Sequence, residues 1–217
     1  MKKEVIYPKK YMKRGNNMRK IPTLFKRDSE TRLVTQEITP GCEWVFKDSK
    51  NVIATRKYDG TACLIKNNRI YKRYDCKKGK KPPAGFIPSQ EPDEITGHYP
   101  GWLECNPNNP EDTYHFEGLL NLYETEAKYN PFYTFYNGTY ELIGEKIQGN
   151  LEKIDGHILI AHGNERIPVG KISYETIKEY LFNNDIEGIV FYHFNVDTLY
   201  STMCKIKKKD FGFKRGN

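Results

Sequence analysis

The chain has 217 residues, 37% of them hydrophobic and 13% aromatic, which is enough apolar material to bury a core and too much for a disordered chain. Its 35 lysines and arginines outnumber 28 aspartates and glutamates, for a formal net charge of +7, a balance that favours a polyanionic partner such as nucleic acid. Five scattered cysteines, never in C-x-x-C spacing, argue against a disulfide framework or zinc knuckle and for reduced thiols. No apolar run reaches the roughly 18 residues a membrane span needs.

The first twenty residues are basic and turn-prone, with Lys2, Lys3, Lys9, Lys10, Lys13, Arg14, Arg19 and Lys20 around Gly15-Asn16-Asn17. They read equally as a solvated tail and as an arm laid along a phosphate backbone. Residues 1–40 are accordingly set apart as a basic N-terminal arm or extension, and 41–217 as the main domain. From Trp44 short β-like runs begin: Trp44-Val45-Phe46, Val52-Ile53-Ala54-Thr55 and Thr61-Ala62-Cys63-Leu64-Ile65, broken by Asp59-Gly60 and Asn67-Asn68. Such runs between turn residues predict antiparallel hairpins.

Residues 76–110 read as a long surface excursion, rich in lysine, proline and glycine. A helix is expected over 111–123, weakened by Gly118. Strands are expected over 139–147 and 157–161. A helix capped by Ser173 is expected to run to Phe182, with Ile177, Tyr180 and Leu181 on one face. Strands over 187–192 and 200–207 complete an α+β fold.

One tetrapeptide stands out, Lys57-Tyr58-Asp59-Gly60 at the end of a β-rich run. A K-x-D-G pattern arises by chance in roughly one chain in twenty of this length, and alone it is also an ordinary Asp-Gly hairpin turn. Arg73 follows in Tyr71-Lys72-Arg73-Tyr74, then Glu141 and Glu145 in Tyr140-Glu141-Leu142-Ile143-Gly144-Glu145, then Glu187 in Glu187-Gly188-Ile189-Val190-Phe191. Lys205 and Lys207 close the series on one face of a strand, because side chains alternate with period two. Singly, Glu187-Gly188 is a turn into a core strand and the two lysines are an exposed strand face. Together they supply a nucleophile, cations and carboxylates.

A lysine attacks phosphorus only as the neutral amine, and its ordinary pKa of about 10.4 keeps it protonated at neutral pH. Burial and neighbouring cations such as Arg73, Lys205 and Lys207 lower that value, and the same cations neutralise charge on a phosphate. His98, His157 and His162 match no zinc spacing and read as structural or as contacts to a nucleic-acid partner.

In that order the five segments resemble motifs I, Ia, III, IV and V of the covalent nucleotidyltransferase superfamily, the DNA ligases, RNA ligases and mRNA capping enzymes. Thr61-Ala62, where DNA ligases and capping enzymes carry an arginine two residues after the glycine, is more similar to RNA ligases. Thr96-Gly97-His98-Tyr99-Pro100-Gly101-Trp102, Gly138-Thr139-Tyr140-Glu141-Leu142-Ile143-Gly144 and Ala161-His162-Gly163 resemble segments of the small ATP-dependent 5′-to-3′ RNA ligases, over residues 40–213.

The resemblance implies a nucleotidyltransferase domain, ATP-grasp-like and of the ligase adenylation type, with antiparallel sheets flanked by helices and no OB-fold domain, since the sequence ends ten residues after Lys207. It implies ATP as substrate with Mg²⁺ or Mn²⁺, and RNA bearing 5′-phosphate and 3′-hydroxyl ends as partner. It implies Lys57 as the AMP-carrying nucleophile and Arg73 as a phosphate clamp. Asp59, Lys205 and Lys207 would be further catalytic groups, and Glu141, Glu145 and Glu187 would contact nucleotide. Glu187, Glu145 and Asp59 would be the metal ligands. The group's pattern has a proline at the Glu145 position, which leaves Glu141 and Glu145 as alternatives for one carboxylate. A capping guanylyltransferase and a non-catalytic RNA-binding module are the competing readings. A monomer is expected, intracellular in cytoplasm or nucleus, or in host cytoplasm if viral.

Overall fold

The computed structural model describes residues 18–129, 135–168, 170–194 and 201–216, so most of the expected basic arm, residues 1–17, lies outside the described residues. In chain order the elements are β1 (Phe25–Arg27), β2 (Val34–Ile38), α1 (Trp44–Lys47), β3 (Val52–Lys57), β4 (Thr61–Lys66), β5 (Arg69–Cys76), β6 (Ile87–Pro88), β7 (Tyr99–Glu104), α2 (Thr113–Ala127), β8 (Gly138–Gly144), β9 (His157–Ala161), α3 (Tyr174–Asn183), β10 (Gly188–Phe194) and β11 (Ser201–Lys207). They form a six-stranded sheet in the order β6-β7-β5-β4-β8-β9, a three-stranded sheet in the order β11-β10-β3, and the hairpin β1-β2. Every strand pairing among them is antiparallel. The result is a mixed helix-and-sheet fold.

Alternation along the strands decides what each face meets. On the six-stranded sheet Cys63, Ile65, Ile70, Leu142 and Leu159 pack with residues of α2, while the intervening Leu64, Tyr71 and Trp102 form a separate cluster with Met18 and Ala62. Gly118 explains why a helix tolerates glycine here: a Cβ at that position would lie 2.7 Å from Leu142 Cδ1, so the helix approaches the sheet closely only without one. The second core joins Ile189, Phe191 and Ile206 of the small sheet to Ile177 and Leu181 of α3 and to Leu24 and Phe25. Residues on either side of position 40 therefore share one core. Ser173 accepts from the Thr176 N–H at 3.2 Å and donates its own N–H to Thr176 Oγ1 at 2.9 Å, closing the capping box expected of α3.

Two expectations are corrected. Trp44–Phe46 is helical rather than extended, because three apolar residues flanked by Gly41 and the Asp48-Ser49-Lys50-Asn51 turn can bury one face of a single helical turn, here Val45. The stretch 76–110 is no plain surface loop: β7 pairs along its length with β5, and Trp102 is fully buried. Pro100 and Gly101 masked that strand by reading as breakers.

The link from β9 to α3 crosses to the other sheet. Arg56 N–H donates to the Glu165 carbonyl at 2.9 Å and Ile167 N–H to the Ala54 carbonyl at 2.8 Å, with Thr55 and Arg166 opposed as an antiparallel bridge. The turn between β3 and β4 is equally constrained. A Cβ on Gly60 would lie 2.3 Å from the Leu142 carbonyl oxygen, so Gly60→Ala forces β4 away from β8. The expected cost is about 1–3 kcal/mol of unfolding free energy, read from chemical denaturation.

Candidate functional site

A cleft of about 490 Å³ is lined by both sheets. From the small sheet, Lys57, Gly188 and Lys207 stand opposite one another across β3, β10 and β11, and Thr55, Val190 and Lys205 form the parallel row two residues away. Cross-strand partners share a face, which gathers the three lysines. From the large sheet Ala62, Glu141 and Ile160 form one row across β4, β8 and β9, and all three line the cleft. Arg73, on β5, lines it too.

Glu187, immediately before β10, is the hub. Its side chain is 10% exposed and accepts from Lys57 Nζ through one oxygen and from Lys207 Nζ at 2.5 Å through the other. Burial pushes its carboxyl up, but the Lys57 charge and the bonds from both lysines outweigh that and hold it below the usual carboxylate range. Lys57 Nζ also donates to the Tyr58 carbonyl at 3.2 Å. Ile206 between the two lysines of β11 is fully buried, as the period-two reading of Lys205 and Lys207 requires.

Burial, reinforced by the charges of Lys207 and Lys57, pulls Lys205 down to about 8 against the attraction of Glu187 and Asp210. Lys205 thus loses its charge more readily than an ordinary lysine, and it lines the cleft with Lys57.

Asp59 lies in the turn after Lys57. Burial and the Glu187 charge raise its pKa, while Arg215, Lys57 and Lys207 act against the rise. Arg73 stacks over the Trp102 ring with its guanidinium carbon 4.9 Å from the centroid and donates to the Met18 carbonyl at 2.9 Å.

Glu141, only 8% exposed, is bonded to His162 Nε2 at 2.7 Å. Glu145 is exposed, does not line the cleft, and accepts from the Gly156 N–H at 3.2 Å within the turn joining β8 to β9. The two glutamates straddle a glycine at φ 152°, and only Glu141 lies on the strand face that meets the cleft.

Three histidines part company. His162 and His98 line the cleft, His98 with Nδ1 2.8 Å from Asp75. His157 is buried, bonded to Glu117 at 2.9 Å and stacked on Tyr114, a packing role. Sequence reasoning missed Glu152 and Glu165, which hold the residues flanking Lys57. Nothing in their local sequence marks them, because each acts through a partner distant along the chain. The segment 18–21, whose Arg19 and Lys20 belong to the expected basic arm, lines the cleft too, with Lys20 Nζ 3.2 Å from Asp93.

Among the described residues one group of potential metal ligands lies together, Cys105, Asp112 and His115, with ligand atoms within 4.8 Å of one another. The Asp112 carboxylate already accepts from Lys72 Nζ at 2.6 Å and the Asn106 N–H at 2.9 Å, and burial pushes the Cys105 thiol up to about 12. That makes it a neutral thiol beside a satisfied carboxylate. All five cysteines are free and buried, and no described helix is long and apolar enough to cross a membrane.

No protein-family model matches the sequence, and no curated protein matches it. Among solved structures the chain is similar to a lysine-to-methionine mutant of the Naegleria gruberi RNA ligase with AMP and Mn, at a TM-score of 0.38 and 16% identity over 85% of this chain and 60% of that one. This chain therefore spans about 60% of the length of that ligase, and the likeness is too slight to assign it a function.

Lys205 gives the site a pH signature. Its folded-state pKa lies below the ordinary 10.5, so below about pH 8 the cost of burying the cation is full, and folding strengthens as pH rises from about 8 to 10.5. Lys205→Met removes that cost. The variant is expected to exceed the wild type by about 1–3 kcal/mol at pH 7, the gain fading toward pH 10 in denaturation series.

Proposed function

We propose that this protein is an ATP-dependent RNA ligase that seals 5′-phosphate and 3′-hydroxyl RNA ends through a covalent lysyl-AMP on Lys57. The observation that carries the reading is the convergence of Lys57 and Lys207 on the buried Glu187, with Lys57 lining a cleft that Lys205, Arg73 and Glu141 also line. An ordinary hairpin turn has no use for such a set.

In the first step the neutral Lys57 amine attacks the α-phosphorus of ATP. The P–N bond forms, the P–O bond to the β-phosphate breaks, and pyrophosphate leaves with the electron pair. Lys57 sheds its proton to water beforehand, and Glu187, bonded to the amine, orients it. Lys207 and Lys205 neutralise the charge that develops on the phosphate oxygens. Arg73 exchanges the Met18 carbonyl for a phosphate, a task suited to a guanidinium fork. Glu141, held in one orientation by His162, faces the nucleotide's ribose.

Glu187 and Asp59 are oxygen donors of the kind hard cations take, with the triphosphate furnishing further ligands. Bound there, Mg²⁺ or Mn²⁺ would supply further charge neutralisation. AMP then passes to the RNA 5′-phosphate, and the 3′-hydroxyl of the other end displaces it. The exposed run Lys77–Lys81 and the basic N-terminus are the candidates for backbone contact.

Incubation with labelled ATP and Mg²⁺ followed by denaturing electrophoresis tests the reading. Wild type is expected to carry label, and Lys57→Ala and Lys57→Arg none. Label from GTP alone points to a guanylyltransferase. No label, with salt-sensitive RNA binding that survives Lys57→Ala, points to a binding module. Glu187→Gln keeps a hydrogen-bond acceptor but loses the counter-charge, and its adenylation rate is expected to fall roughly 100-fold or more, measured in single turnovers.

A further inference from the structure

The turn that carries Lys57 is gripped by Glu152 and Arg215. Glu152, from the segment between β8 and β9, has a side chain only 2% exposed. Its Oε1 accepts the Asp59 N–H at 2.9 Å and Arg215 Nη1 at 2.9 Å, and its Oε2 accepts Arg56 Nη2 at 2.6 Å. Arg215, 8% exposed, also brings Nη1 to 3.6 Å from Asp59 Oδ2 and donates through Nη2 to the Leu151 carbonyl at 3.0 Å.

The residue before Lys57 and the residue two after it are thereby tied to one buried carboxylate. A second tie, from the Tyr58 hydroxyl to Glu165, holds the residue between them. An ion pair that served only to hold the chain together would have no need of the Asp59 main-chain N–H. This pair takes it, and fixes the backbone from which the nucleophile projects.

We propose that Glu152 and Arg215 are positioning residues for lysyl-AMP formation: they lock the Lys57–Gly60 turn so that the Lys57 amine is presented to the cleft in one orientation. The proposal rests on the reading of Lys57 as nucleophile. Lysine has four rotatable side-chain bonds, so its reach is reproducible only if its Cα is held. Attack on phosphorus tolerates little error, since a misplacement of about 1 Å costs on the order of 100-fold in rate. Arg215 bridges Asp59 and Glu152 with its fork, which an ammonium does with less geometric control.

The test uses the full chain with labelled ATP and Mg²⁺ and compares wild type, Arg215→Met, Arg215→Lys and Glu152→Gln. Lys72→Met, which breaks the buried pair with Asp112 away from the cleft, is the stability control. Melting temperature and single-turnover adduct formation are measured on each protein, below its own transition. For Arg215→Met the rate at saturating ATP is expected to fall roughly 10- to 100-fold while the KM for ATP moves less than about threefold. Arg215→Lys should recover part of the rate, Glu152→Gln should lie between, and Lys72→Met should lose stability while keeping its rate.

Should Arg215→Met fail to fold, Arg215→Lys, which keeps the charge and loses the fork, carries the comparison. Wild-type rates in the folded variants, a loss confined to KM, or an equal loss in Lys72→Met would overturn the clamp. A wild type that forms no adduct at all overturns the ligase reading, and the clamp with it. An adduct formed equally well by every variant overturns the clamp alone.

Discussion

A carboxylate that is nearly out of reach of water has to be paired or it neutralises, and Glu187 meets that constraint with two ammonium groups from two different strands. The arrangement works only if β3, β10 and β11 keep the register that sets Lys57, Gly188 and Lys207 in one row. The hydrophobic side of the same strands maintains the register, since Ile189, Phe191 and Ile206 point into the core that α3 covers. Packing on one face of the small sheet and charge on the other are thus aspects of one alternation.

The two sheets contribute unlike chemistry. The small sheet brings ammonium groups, and the large one brings a guanidinium stacked on an indole and a carboxylate oriented by an imidazole. Burial of Lys205 in the cleft lowers its pKa, and the charges of Lys207 and Lys57 add to that. Anionic groups entering the cleft would offset both costs.

Much of this was legible from residue order. Strand alternation placed Lys205 and Lys207 on one face, Ser173 announced the start of α3, and the K-x-D-G segment lies where a strand leaves the sheet. Other parts were hidden for physical reasons. Trp102 lies between Pro100-Gly101 and the turn-rich run Asn106-Pro107-Asn108-Asn109-Pro110, so local composition said loop while pairing with β5 said strand. β8 ends at Gly144, so Glu141 lies on the strand while Glu145, four residues on, falls in the turn beyond it. Glu152 and Arg215 are separated from the turn they grip by about a hundred residues or more, and no periodicity reports such a contact.

The segment that carries the chain from one sheet to the other has a consequence for the strand beside it. With β10 bonded along one side of β3 and residues 165–167 along the other from Ala54 to Arg56, the strand ending in Lys57 is paired on both sides just before that residue. An open edge invites pairing with another chain and permits slippage, and a slip of one residue would turn every side chain of β3 to the opposite face. Closing both sides forbids that error, so the lysine is kept facing the cleft by hydrogen bonds of the main chain, which substitutions of surface side chains leave in place.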